Sequence, residues 1–246
     1  MTKTIILIPS RLAATRLPNK PLLKINGLSI INHVYQKAQS TDIGDVFVAT
    51  GDKKIFEEVK KIDGKCVLTE KEHQTGTDRI FEAYQKLKLN NVDYIINLQG
   101  DEPMIDVQDI NNLNANAINN QSEIATLACT IKDKNILNKK NVVKVITDKE
   151  LSKENISTAK TFSREVLFNY NSCIYHHIGI YIYKVSTLEK FVNLKQSKNE
   201  INQKLEQLRA IDNNIKINVI LANSSPIGVD TEEDFLEIKK IMNYKN

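Results

Sequence analysis

Arginine is scarce in this chain. Among 34 basic residues there are only five, Arg11, Arg16, Arg79, Arg164 and Arg209, and the rest are lysine. The net charge of +4 is spread over 246 residues. That argues against the concentrated basic stripe of a nucleic-acid binder. No apolar run approaches the roughly 20 residues needed to span a bilayer. The longest, residues 4–9, reads as a buried strand, and no small-residue cleavage site follows it, so neither a membrane partner nor a signal peptide is expected. Cys66, Cys129 and Cys173 are odd in number, far apart and without metal-ligand spacing, which points to buried thiols in a reducing, cytoplasmic setting. The sequence has no internal repeat and no Gly-, Pro- or Ser-rich linker, so residues 1–246 read as one domain.

What is present is an alternation of short apolar strands and amphipathic stretches. Residues 4–9, 45–49, 66–68 and 92–98 read as strands. Helices are expected at 29–39, after Asp52 as N-cap, from Thr77 or Asp78 to about Lys88, and at 107–119. This order predicts an α/β fold with a mostly parallel sheet. The second half is more strand-rich, with strands at 124–131, 142–147, 158–163, 178–184 and 215–221. Helices are expected at 185–193, 200–211 and 231–241, the last opened by Thr231 with Asp234 three residues on. The middle reads as a lobe added to an α/β core.

Four segments carry chemistry. Residues 10–21 leave the first strand and hold Arg11, Arg16 and Lys20 with no acid, a composition suited to polyphosphate. Pro18 and Pro21 restrict the loop, and the Gly-x4-Gly-Lys of a Walker loop is absent. Gln99-Gly100-Asp101-Glu102-Pro103 follows the fourth strand. A lone carboxylate at that sheet edge suits Mg²⁺, with Gly100 permitting a tight turn. Asp230, in Gly228-Val229-Asp230-Thr231, is either a second carboxylate for the metal or the cap of the last helix. His73-Gln74-Thr75-Gly76-Thr77-Asp78-Arg79 offers donors that could read a base edge. Taken alone, Arg209 reads as a salt-bridging surface residue.

These segments occur in order with Arg16-Leu17-Pro18-Asn19-Lys20-Pro21-Leu22, His176-His177-Ile178-Gly179-Ile180-Tyr181 and Leu205-Glu206-Gln207-Leu208-Arg209. Together they resemble the 3-deoxy-manno-octulosonate cytidylyltransferase family over almost the whole chain. The resemblance implies a Rossmann-like, GT-A-like nucleotidyltransferase sheet. Residues 1–130 would form a CTP-binding core, about 131–200 a smaller lobe for acceptor binding and dimerisation, and 201–246 a return to the core. It implies CMP transfer from CTP to the octulosonate, releasing pyrophosphate, in a Mg²⁺-dependent homodimer that serves lipopolysaccharide synthesis. Arg11, Arg16, Lys20, Asp101 and Asp230 would be catalytic, and Asp101 and Asp230 would hold the metal. Pro9, Ser10, Arg11, Arg16, Lys20, Gln74, Thr75, Gly76, Thr77, Arg79 and Asp101 would meet the nucleotide. Gln99, Arg164, His177, Tyr181, Tyr183, Glu206 and Gln207 would meet the sugar acid, with Arg164 as partner for its carboxylate. The chain departs from the family at Asn19, which stands where glycine is usual, though asparagine tolerates the left-handed conformation. It also departs after Arg164, where Glu165-Val166-Leu167-Phe168 replaces a proline-containing run, and at Lys198-Asn199, where Pro-Leu is usual.

Overall fold

The computed structural model describes residues 2–13, 16–70, 72–133, 135–165 and 173–244. The chain divides into two compact units. The first runs to Ile110 and resumes at Pro226, and the second is Asn111–Ser225.

The first unit is an α/β layer structure. Its elements are β1 (Thr4–Ser10), the small ribbon β2 (Lys24–Ile25) and β3 (Leu28–Ser29), α1 (Ile30–Gln39), β4 (Val46–Thr50), α2 (Lys53–Lys60), β5 (Cys66–Leu68), α3 (Gly76–Leu87) and β6 (Tyr94–Asn97). The sheet order is β5-β4-β1-β6 and every pairing is parallel, with Ile6 opposite Val46 on one side and Ile96 on the other. All seven residues of β1 are buried. That is the continuous apolar run of a strand covered by helices on both faces. In α1 the side chains of Ile30, Ile31, Val34, Tyr35 and Ala38 are buried, the face that the helical period predicts. Because the strands run the same way, the segments leaving β1, β4, β5 and β6 share one edge of the sheet.

Two local expectations are corrected in this unit, and one turn is added. The β2–β3 ribbon turns on Asn26 (φ 51°) and Gly27 (φ 81°), an Asn-Gly hairpin that the sequence reading passed over. The cap of α3 is Thr75, ahead of Thr77 and Asp78. Its Oγ1 accepts the Asp78 N–H at 3.1 Å, and Asp78 Oδ2 accepts the Thr75 N–H at 3.1 Å. Asp52 precedes α2, but its side chain makes no cap bond.

α4 (Val107–Asn119) runs across the division, and the second unit follows. It comprises β7 (Ile124–Thr130), α5 (Asn135–Asn138), β8 (Lys144–Thr147), β9 (Ser157–Ser163), β10 (Ile174–Lys184), α6 (Val185–Val192), α7 (Lys198–Gln203), α8 (Leu208–Asp212) and β11 (Ile217–Leu221). The order β10-β7-β11-β9-β8 is mixed: β7–β11 is parallel and the other pairings are antiparallel, including one between β10 and β8. β10 is longer than the expected 178–184 and changes register between Ile178 and Tyr181. Ile180, Ile182 and Tyr183 on this strand are all buried. The single helix expected at 200–211 is two helices. Lys204 takes the left-handed conformation (φ 53°), and Glu206 and Gln207 lie on the connecting turn. Most of the altered run after Arg164 lies outside the described residues.

The chain returns to the first unit with α9 (Glu232–Tyr244). Thr231 caps it: Thr231 Oγ1 accepts the Asp234 N–H at 3.2 Å, and Asp234 Oδ2 accepts the Thr231 N–H at 2.8 Å. Val229 and Ile238 pack with Ile25 and Ile30 in one buried cluster. No helix among the described residues is long and apolar enough to cross a membrane. The three cysteines are free, and burial pushes the Cys66 thiol up to about 12, leaving it unreactive.

Candidate functional site

A cleft of about 430 Å³ opens at the shared strand edge of the first unit. It is lined by Pro9, Ser10, Arg11, Ala13, Arg16, Lys20, Pro21, His73, Gln74, Thr75, Gly76, Arg79, Gln99, Gly100, Asp101 and Asp230. Four cations, Arg11, Arg16, Lys20 and Arg79, face two carboxylates there. The excess of positive charge favours an anion.

Pro9 is the pivot of this cleft. A Cβ on Gly100 would lie 3.0 Å from the Pro9 carbonyl oxygen and 3.1 Å from Ile31 Cδ1, and one on Gly76 would lie 3.3 Å from Pro9 Cγ. The role read for Gly100 therefore changes. Its backbone has no positive φ, and what excludes a side chain is the close approach of β1. Ser10 Oγ is buried and has no partner among the described residues, which leaves a donor on the cleft wall. Asn19 takes the left-handed conformation (φ 56°), so the loop turns into Lys20–Leu22 with asparagine where glycine would otherwise be needed. Ala14 and Thr15 of this loop lie outside the described residues.

Asp101 and Asp230 are 129 positions apart in sequence and adjacent in space. The Val229 N–H donates to the Asp101 carbonyl at 2.9 Å, which places the segment of Asp230 beside that of Asp101. Lys20 Nζ donates to Asp101 Oδ2 at 2.5 Å and to Asp230 Oδ1 at 3.3 Å. Arg16 Nη2 lies 3.1 Å from Asp230 Oδ2. With Thr231 capping α9, the Asp230 carboxylate is left for this cluster. The Glu102 carboxyl lies beside it, with Oε2 buried and unpartnered among the described residues. Burial, reinforced by Asp101 and Asp230, pushes that carboxyl up to about 8. Two convergent carboxylates fit what Mg²⁺ asks of a protein, since that ion takes few protein ligands and fills its other positions with water and phosphate oxygens. No cluster of three metal-ligating side chains occurs among the described residues.

The segment expected to read the base divides. Gln74, Thr75, Gly76 and Arg79 line the cleft, whereas Thr77 is buried beneath it, with Oγ1 accepting Asn97 Nδ2 at 3.4 Å. Asn97 Oδ1 in turn accepts Gln99 Nε2 at 3.3 Å, which orients the Gln99 amide. Arg79 is buried and donates to Thr69 Oγ1 at 2.6 Å and to the Glu70 carbonyl at 2.9 Å. Its guanidinium therefore also holds the β5–α3 loop. Ala13, Pro21, His73 and Gly100 line the cleft without having been singled out as ligands. His73 Nε2 sits 2.6 Å from Glu82 Oε2.

The residues assigned to the sugar acid fall in the second unit, apart from Gln99. Arg164 donates from Nε to the Gln203 carbonyl at 3.4 Å and from Nη1 to the Lys140 carbonyl at 3.3 Å, and it meets no carboxylate among the described residues. The buried Lys144 ammonium donates to the carbonyls of Lys139, Val142 and Arg164 at 2.9, 2.9 and 2.7 Å. His177, Tyr181 and Tyr183 form a ladder of rings, with centroids 5.4 and 5.9 Å apart. His177 is buried, with Nε2 3.1 Å from Thr126 Oγ1, and burial with the neighbouring His176 pushes its pKa down to about 3. It is a neutral ring at any physiological pH. Burial, then Tyr183, then Glu206 raise the Tyr181 hydroxyl, which places the Glu206 carboxylate within electrostatic reach of that ring. Arg209 is not a surface residue. It is 3% exposed, pairs with Glu200 at 2.9 and 2.5 Å, and stacks over Phe191 at 4.8 Å. This pair braces the turn that carries Glu206 and Gln207.

The parallel sheet, cationic loop and paired carboxylates define a nucleotidyltransferase, and a cytidylyltransferase family model matches residues 5–217. The chain is 41% identical over 250 residues to the 3-deoxy-manno-octulosonate cytidylyltransferase of Thermodesulfovibrio yellowstonii, covering 98% of each. It also superposes at a TM-score of 0.90, with 32% identity and full coverage of both chains, on a CMP:2-keto-3-deoxy-manno-octonic acid synthetase solved with CTP. A UDP-glucose pyrophosphorylase matches at a TM-score of 0.74 and 16% identity, a likeness of fold alone. The chain belongs to the 3-deoxy-manno-octulosonate cytidylyltransferase family.

Proposed function

We propose that this protein transfers CMP from CTP to 3-deoxy-D-manno-octulosonate, giving the CMP-sugar and pyrophosphate and activating the sugar for lipopolysaccharide synthesis. The observation that carries the reading is the meeting of Asp101 and Asp230 on Lys20 at the mouth of a cationic cleft.

The triphosphate lies along the loop that carries Ser10, Arg11, Arg16 and Lys20. These donors neutralise charge that grows on the phosphoryl oxygens as the sugar hydroxyl attacks the α-phosphorus and pyrophosphate departs. Gln74, Thr75 and Gly76 face the cytidine, while Thr77 supports the wall from beneath. Asp101 and Asp230 would hold Mg²⁺, which supplies charge neutralisation at the phosphates and acidifies the attacking hydroxyl. Arg164, which meets no carboxylate among the described residues, offers its guanidinium to the sugar carboxylate. Gln99, the neutral His177, Tyr181, Tyr183, Glu206 and Gln207 supply hydrogen bonds and ring surface to its hydroxyls. The GT-A-like character of the sheet, the acceptor role of the second unit, the homodimer and the cytoplasmic setting belong to the same reading.

Pyrophosphate release with CTP, Mg²⁺ and a panel of sugar acids tests it. The octulosonate should be the best acceptor, ahead of its 8-amino analogue and of acylneuraminates. Asp101→Asn should abolish release while leaving the melting temperature near that of the parent. Preference for another acid, or near-normal turnover in that variant, refutes the assignment. A metal-dependent glycosyltransferase is disfavoured because Asp101 is followed by Glu102-Pro103 in place of an Asp-x-Asp pair.

A further inference from the structure

Asp52 stands at the start of α2, where a carboxylate ordinarily caps the helix. Its own N–H is fixed by Thr50 Oγ1 at 3.1 Å, and its carbonyl accepts the first helical bond, from Phe56 N–H, at 3.1 Å. Its side chain nevertheless makes no cap bond. The first turn of α2 instead begins with two lysines, Lys53 and Lys54, which the helix dipole disfavours there. The carboxylate is committed elsewhere: Oδ2 accepts the backbone N–H of Leu12 at 2.8 Å, across 40 positions of sequence. That amide belongs to the peptide unit shared with Arg11. Fixing it fixes the plane from which the Arg11 side chain leaves the backbone.

Arg11 needs such help. It is exposed, lines the cleft, and makes no hydrogen bond or ion pair of its own among the described residues. Asp52 also lies within electrostatic reach of Arg79, where its charge opposes the mutual repulsion of Arg79 and Arg11. We infer that Asp52 is a positioning residue for the nucleotide loop, aligning Arg11 through the Arg11–Leu12 peptide and giving up the cap of α2 to do so. The inference rests on the reading of that loop as the triphosphate cradle.

The test is steady-state kinetics of Asp52→Ala, Asp52→Asn and Arg11→Ala, and of Arg11→Ala combined with Asp52→Ala, each checked by thermal melting. A lost charge-assisted hydrogen bond should raise KM for CTP about tenfold in Asp52→Ala with kcat nearly unchanged. Asparagine keeps an oxygen that can accept the Leu12 N–H, so Asp52→Asn should recover most of that loss. In the Arg11→Ala background, Asp52→Ala should add little, because the residue it aligns is gone. A merely structural role would lower kcat through the active fraction and leave KM in place. The inference is overturned if Asp52→Ala leaves KM within about twofold of the parent, if kcat falls alone, if Asp52→Asn is as impaired as Asp52→Ala, or if the two substitutions are additive. If Arg11→Ala itself leaves KM unchanged, the phosphate-cradle reading fails first and the inference with it.

Discussion

Lys20 makes its ion pairs with the two carboxylates proposed to hold the metal, and the consequence can be measured. In the nucleotide-free protein its ammonium occupies their field, 2.5 Å from Asp101 and 3.3 Å from Asp230. A divalent cation approaching the same oxygens meets a positive charge that has no phosphate to turn to. Lys20→Met removes that charge and keeps the aliphatic stem. The Lys20 side chain is 13% exposed and that of Asp101 34%, so an effective dielectric of about 40 is reasonable. The carboxylate charge is shared over two oxygens, so its centre lies about 4 Å from the ammonium, and the closer pair is then worth about 2 kcal/mol. Asp230 is 52% exposed, and solvent screening reduces its share to about 0.5–1 kcal/mol. Removing both should tighten divalent binding in the absence of nucleotide by about 2–3 kcal/mol, roughly 30- to 150-fold. The assay is Mn²⁺ titration of nucleotide-free protein, following the free-ion paramagnetic resonance signal. Asp101→Asn and Asp230→Asn serve as controls that should abolish the site. With CTP present, Lys20→Met should instead bind nucleotide more weakly. Mn²⁺ affinity within twofold of the parent in nucleotide-free Lys20→Met would refute the reasoning, since Lys20 would then not be competing for those oxygens.

Other expectations are more local. Gly100→Ala drives a methyl to 3.0 Å from the Pro9 carbonyl and 3.1 Å from Ile31, and should lower stability by about 1–3 kcal/mol in denaturant unfolding. It should also displace Pro9 and raise KM for CTP. Arg209→Met strands the buried Glu200 carboxylate and should lower stability by about 3–5 kcal/mol, with Arg209→Met/Glu200→Gln recovering much of the loss. Folding depresses the His177 pKa from 6.5 to about 3, so the unfolded chain holds one more proton between those values. Stability from this group is present above about pH 6.5 and falls as pH drops toward 3, by about 1.4 kcal/mol per unit. In His177→Asn the slope of unfolding free energy against pH over that window should be shallower by that amount.

The sequence made the first unit legible because its signals are short-range. Apolar runs the length of one strand, each followed by a polar segment, state both the parallel sheet and the edge where ligands gather. Gln99–Asp101 and Gln74–Arg79 sit at those edges. Other features depend on partners far away in the chain. Asp52 looks like a helix cap because nothing nearby reveals the Leu12 N–H that it accepts instead. Asp230 taken alone could be a cap or a ligand, because its neighbour Asp101 is 129 positions away in sequence. The break at Lys204 has neither proline nor glycine to announce it, so the 200–211 period reads straight through the turn that carries Glu206 and Gln207. Arg209 looks like a surface charge because burial of a guanidinium requires Glu200 and Phe191, and spacing alone does not reveal that all three converge. The Asn26-Gly27 hairpin was readable and went unread, its strands being only two residues each.

The placement of Asp230 has a consequence for synthesis. Lys20 and Asp230 are 210 positions apart, and the whole of Asn111–Ser225 is translated between Asp101 and Asp230. A nascent chain that has emerged through Asp101 already carries the cationic loop and one carboxylate, but it lacks the second until the closing segment arrives. On the ribosome the two carboxylates therefore cannot meet before the closing segment has been made. On the function proposed above, activity waits until translation has passed Asp230 and Val229 has docked on the Asp101 carbonyl.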